Sequence, residues 1–91
     1  MIIDDRNREI LTITQEEAAE VIQEISKVFR FGIDEMHRDG MTHRVRLTQE
    51  IGDLLCMIDL ITDHRLVDPV AVEMAKQAKI DKLRKYSRIY S

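Results

Sequence analysis

Glu17 and Glu20, in the run Glu16-Glu17-Ala18-Ala19-Glu20, repeat a carboxylate after three residues, and so do Glu50 and Asp53 in Glu50-Ile51-Gly52-Asp53. Both pairs sit inside the most apolar stretches of the chain. In a helix this spacing puts the two acids of a pair on one face, with Cβ atoms about 5–6 Å apart. Two such pairs brought face to face form a nest of four carboxylates, which must take up protons, splay apart or bind a cation. A divalent cation resolves the repulsion directly, and hard oxygen donors suit Mg²⁺ or Mn²⁺.

The elements that must carry these acids are helical. Thr14 followed by Glu17 is a capping-box pattern and predicts a helix from about Gln15 to Phe31. Ala18, Val21, Ile22, Ile25, Val28 and Phe29 form its apolar arc, with Glu17, Glu20 and Glu24 along the rim. From Gly32 to about His43, two glycines and a cluster of polar residues read as a connection, with a short helical turn around Ile33 to Arg38. A second helix should start near Thr42 or Val45 and end near His64. Leu47, Ile51, Leu54, Leu55, Met57, Ile58, Leu60 and Ile61 give it a wide apolar surface in which Glu50 and Asp53 are embedded. Acids at this spacing are ordinarily a solvated face, and the first pair alone would read that way. The second pair does not, because a carboxylate charged within an apolar surface needs a cation or a basic residue beside it. Asp68-Pro69 supplies an N-cap and an N1 proline for a third helix to about Ser87.

The expected fold class is therefore all-α: an antiparallel bundle of three main helices plus a possible short one, in a single domain over residues 1–91. A chain of 91 residues at 44% hydrophobic is large enough for one core and gains by pairing with copies of itself, as a homodimer or homotetramer. The single Cys56 lies in an apolar run, which points to a reducing compartment and a packing role. Asp4 and Asp5 close behind Met1 do not fit a signal peptide, and no apolar run approaches a membrane span, so a cytoplasmic protein without a membrane partner is expected.

The net charge of −3 divides unevenly. Lys76, Lys79, Lys82, Arg84, Lys85 and Arg88 make the C-terminal segment basic, whereas the remainder is strongly acidic. An acidic body disfavours a nucleic acid polymer, while a short polyphosphate held between cations and lysines suits both regions. His37 and His43 fall in the connection and His64 at a helix end, so all three read as surface residues. The chain contains no glycine-rich phosphate loop, Ser-His-Asp set or CxxC pair.

The order Glu-Glu-x-x-Glu, a connection, Glu-x-x-Asp and a basic third helix resembles the MazG-like all-α nucleotide pyrophosphohydrolases, whose superfamily includes dimeric dUTP pyrophosphatases and phosphoribosyl-ATP pyrophosphohydrolases. The resemblance runs from about Ile10 to Tyr86, through TQEEAAEVIQEISKVFRFG, LTQEIGDLLCMIDLI and KIDKLRKY. It implies Mg²⁺-dependent hydrolysis of a nucleoside triphosphate to the monophosphate and pyrophosphate, with Glu17, Glu20, Glu50 and Asp53 as metal ligands. Glu16 or Glu24 would orient the attacking water, or join the coordination. Lys79, Lys82, Lys85 and Tyr86 match the family's phosphate-contacting region, from which the chain departs at Leu83, where relatives often carry an asparagine. Phe29, Arg30 and Phe31 either border a base pocket or pack the bundle. Phosphoribosyl-ATP hydrolysis and a non-catalytic helical dimerisation module are the competing readings.

Overall fold

A computed structural model describes residues 2–91, and its elements in order are α1 (Asp5–Phe31), α2 (His43–Asp63) and α3 (Pro69–Tyr86). The chain is all-α, as expected, and α1 and α2 pack together. No helix among the described residues is long and apolar enough to cross a membrane.

α1 starts ten residues earlier than the capping box at Thr14 suggests. Its cap is Asp4, whose Oδ1 accepts from Asn7 N–H at 2.7 Å. Thr14 lies inside the helix, where its hydroxyl donates to the Ile10 carbonyl at 2.7 Å. No glycine or proline interrupts Asp5 to Ile13, and Ile10 is buried, so tertiary contact extends the helix through a β-branched stretch of modest propensity. Gly32, at φ 96°, ends α1 in a conformation that glycine adopts without a Cβ penalty.

The connection carries no helical turn. An isolated bridge pairs Met36 with Thr42, and Asp34 receives Arg44 through Nε at 2.8 Å and Nη2 at 3.1 Å. That bidentate contact holds the Asp34 carboxyl below its usual range. Asp39 pairs with Arg46 and accepts from Met41 N–H at 3.0 Å, and the latter bond chiefly lowers its pKa. These local ties satisfy the backbone and the charges without a helix. Thr42, one of the two expected starts, caps α2 through Val45 N–H at 3.2 Å, and Asp68 caps α3 through Val70 N–H at 2.9 Å, as the sequence indicates.

Register shows that α1 and α2 are antiparallel. Glu17 meets Glu50 and Glu24 meets His43, so seven residues forward on α1 correspond to seven back on α2. Another seven residues in the opposite direction bring Ile10 level with Met57, the two buried apolar residues of the seam. Beyond them the interior is thin. Ile22, Ile25 and Phe29 of the expected core arc are exposed, as are Ile51, Leu55 and Ile58 on α2. Cys56, expected in the packing, is exposed as well. A helix with so wide an apolar arc needs a second neighbour, and the single α1/α2 contact covers only one edge of it.

α3 does not supply that neighbour. It has no buried residue, and Leu55, Ile58 and Thr62 of α2 line a groove with Pro69, Val72 and Lys76 of α3. The molecule measures 45 × 37 × 15 Å, with a radius of gyration of 16.3 Å. A compact domain of this length has a radius of about 12 Å, and one helix with its side chains is about 10–12 Å across. The fold is a slab little more than one helix thick.

Candidate metal centre

Glu17 on α1 and Glu50 and Asp53 on α2 each bring a carboxylate oxygen to within 4.8 Å of the others. Glu17 and Glu50 are half-buried and Asp53 is exposed. Gly52, between the two acids of α2, has open space where a Cβ would stand. Glu20, one turn after Glu17, lies beside Glu50. Three acids thus converge where the antiparallel register makes the two helices level, with Glu20 exposed beside Glu50 and outside that group.

The electrostatics show the strain of this arrangement. The hydrogen bond that protonated Glu50 donates to Glu20, then desolvation, then the charges of Glu20, Asp53 and Glu17 push Glu50 up to about 7. Glu17 is raised chiefly by desolvation and further by the charges of Glu20, Asp53 and Glu16. Oε2 of Glu17 and Oε2 of Glu50 are both buried without a hydrogen-bond partner. Buried acceptors left unsatisfied are costly, and a hard divalent cation would satisfy both oxygens and offset the repulsion. The donor set, all oxygen and on two rigid helices, fits Mg²⁺ or Mn²⁺.

The remaining sequence candidates lie apart from these four. Glu16 is exposed beside Glu17. Glu24 is buried, with Oε1 3.1 Å from His43 Nδ1 and Oε2 3.8 Å from Lys27 Nζ. Lys79, Lys82, Lys85 and Tyr86 are exposed on α3, and among the described residues no ion pair links them to the cluster. Lys85 Nζ lies 5.3 Å from the Tyr86 ring centroid, and the Arg84 guanidinium lies 5.4 Å from that of Tyr90.

His43 departs from the surface role expected of it. It opens α2 instead of lying in the connection, and it is 1% exposed, the most buried side chain of the seam. The pairing with Glu24 explains this: a buried imidazole needs a partner, and the register delivers a carboxylate. The signal was present in the spacing, since His43 precedes Glu50 by seven residues just as Glu24 follows Glu17. His37 is exposed in the connection, as expected, and His64 is the half-buried C-cap of α2. Phe29 is 84% exposed, whereas Phe31 stacks on His43 at 5.7 Å between centroids. No protein-family model, curated protein or solved structure matches the chain.

Proposed function

We propose that the chain is a Mg²⁺-dependent nucleoside triphosphate pyrophosphohydrolase of the MazG-like kind, releasing a nucleoside monophosphate and pyrophosphate in nucleotide-pool control. The observation that supports this reading is the meeting of Glu17, Glu50 and Asp53 within 4.8 Å, two of them with buried, unpartnered oxygens. Glu17, Glu20, Glu50 and Asp53 hold the cation. When bound, Mg²⁺ would neutralise the polyphosphate and lower the pKa of an attacking water. Glu16, exposed next to Glu17, accepts the proton of that water. Glu24 acts from behind, through its contact with His43.

Lys79, Lys82, Lys85 and Tyr86 bind the phosphates in this scheme. α3 stands off the α1/α2 pair, so a homodimer or homotetramer that doubles the slab would bring these groups over a cluster. The test is direct. Purified protein with Mg²⁺ and a panel of ribo- and deoxyribonucleoside triphosphates should yield monophosphate and pyrophosphate. Release of orthophosphate instead, or full activity in Glu50→Gln and Asp53→Asn, would refute the mechanism.

One observation favours a second reading, a helical dimerisation module without catalysis. The stripes Ile22-Ile25-Phe29 and Ile51-Leu55-Ile58 are exposed at helical spacing, as an interface requires. That reading expects oligomerisation with no stabilisation by Mg²⁺ and a non-hydrolysable triphosphate, which a thermal shift titration measures.

A further inference from the structure

The α1/α2 pair has two unlike sides. At about 100° per residue, Ile22, Ile25 and Phe29 lie about 100–160° on from the buried Glu24 of α1, and Ile51, Leu55 and Ile58 lie about 100–160° on from the buried Met57 of α2. Equal turns in the chain direction, made on antiparallel helices, lead to the same side of the pair. The two exposed stripes are therefore one apolar face. No charged residue falls within either arc between positions 11 and 29 or 48 and 62, in a chain that is 34% charged. Glu20 and Asp53 lie about 40° from the same two buried residues in the other direction, Glu16 lies about 80° away, and all three are exposed. The carboxylate cluster thus opens on the opposite side, and half-buried Val21, Leu47 and Leu54 separate it from the apolar face.

α3 stands on the apolar side, since Leu55, Ile58 and Thr62 line the groove that it shares with α2. The surface area says how much is left uncovered there. A compact monomer of this chain's mass exposes about 5,500 Å², whereas this chain exposes 7396 Å². The excess of about 1,900 Å² per chain, removed from two copies together, is about 3,800 Å², within the range of roughly 2,000–5,000 Å² that obligate homodimers bury. A face of one charge calls for a partner of the other, but an uncharged face meets its own copy without repulsion.

We propose that a second copy of the chain covers this apolar face, so that two α1/α2 pairs stack back to back and each carboxylate cluster opens outward. The inference rests on the homo-oligomer of the function proposed above and adds which side of the chain meets the second copy. Ile22, Ile25 and Phe29 together with Ile51, Leu55 and Ile58 form the centre of the contact, and α3 gains from the opposite copy the neighbour it lacks in its own chain.

Sedimentation tests the choice of side. Ile22→Glu and Leu55→Glu should weaken dimerisation at least about hundredfold, because a two-fold interface buries each new charge twice. Gln23→Lys, exposed on the acidic side, should leave the dimer unchanged. Mn²⁺, followed by its EPR signal, should bind the dissociated variants within about twofold of its affinity for wild type, because the cluster lies on the far side of the pair. A wild-type monomer, a dimer indifferent to Ile22→Glu and Leu55→Glu or split by Gln23→Lys, or Mn²⁺ affinity that falls on dissociation overturns the proposal. A second measurement needs no substitution, because the single Cys56 is exposed on the acidic side and accepts a spin label. Two helix layers spaced 8–10 Å apart should keep the labels of a back-to-back dimer more than about 20 Å from each other. Labels closer than that overturn it. None of these measurements uses turnover: a dimer of this form that hydrolyses no triphosphate removes only the pyrophosphohydrolase, and an active monomer removes only the pairing.

Discussion

His43 Nδ1 lies 3.1 Å from Glu24 Oε1, and this buried contact shares the register that brings Glu50, seven residues on along α2, against Glu17, seven residues back on α1. A polar pair at the end of a thin apolar seam specifies alignment in a way that interchangeable aliphatic contacts do not, because a shift by one residue would bury both groups unpartnered.

Removal of the pair should therefore reach beyond its own site. His43→Ala leaves the buried Glu24 carboxylate facing a void and should cost at least about 2 kcal/mol in urea unfolding. Glu24→Gln keeps a hydrogen-bonding partner and should cost less. If the two variants were equally stable to wild type, the seam would owe its register to something else.

Loss of a cluster acid should separate activity from stability. Glu50→Gln and Asp53→Asn should lower kcat/KM by more than the roughly 10- to 100-fold typical of outer-shell partners of a metal. Without metal, the same changes remove like charges from a repelling group and should raise Tm in EDTA. Parallel assays of turnover and thermal unfolding check both halves of this expectation.

The raised pKa of Glu50 predicts the pH dependence of the metal-free protein. The folded state holds a proton on Glu50 up to about 7, whereas an ordinary glutamate releases it near 4.5. Between these values the native state binds more protons than the unfolded one, so stability falls as pH rises. In EDTA, Tm should drop from pH 5 to pH 8, and Glu50→Gln should flatten that slope. Mg²⁺ should restore Tm most at pH 8, where it does not compete with the proton.

The slab geometry makes a prediction about assembly. Phe29 at 84% and Leu55 at 54% exposure are large apolar side chains on separate unpartnered stripes. Wild type should sediment as a dimer or tetramer, and Phe29→Lys or Leu55→Glu should yield a smaller species with reduced activity. A wild-type monomer at micromolar concentration would remove the need for a second copy.

Much of the local structure was legible because local signals control it. Asp68 caps α3 where Asp68-Pro69 says it should, and α2 starts behind Thr42, within the expected range. Thr14 misled because a capping box is a local preference, and the burial of Ile10 overrides it by carrying α1 back to Asp5. The turn around Ile33 to Arg38 was equally a local expectation, displaced by the pairing of Asp34 with Arg44 across the connection.

Periodicity along the chain determined that the protein is helical, that Glu17 shares a face with Glu20 and Glu50 one with Asp53, and that the second helix has a wide apolar surface around its acids. It could not determine which edge of each arc turns inward. That choice follows from the contact between α1 and α2, which buries Glu24 and His43 and leaves Ile22 and Phe29 outside. The alignment of two helices depends on which polar groups find partners across the seam, a relation between residues distant in sequence that no single helix contains. Tertiary structure alone therefore joined Glu17 to Glu50 and Asp53 in one cluster and made His43, expected in the connection, the most buried side chain among the described residues.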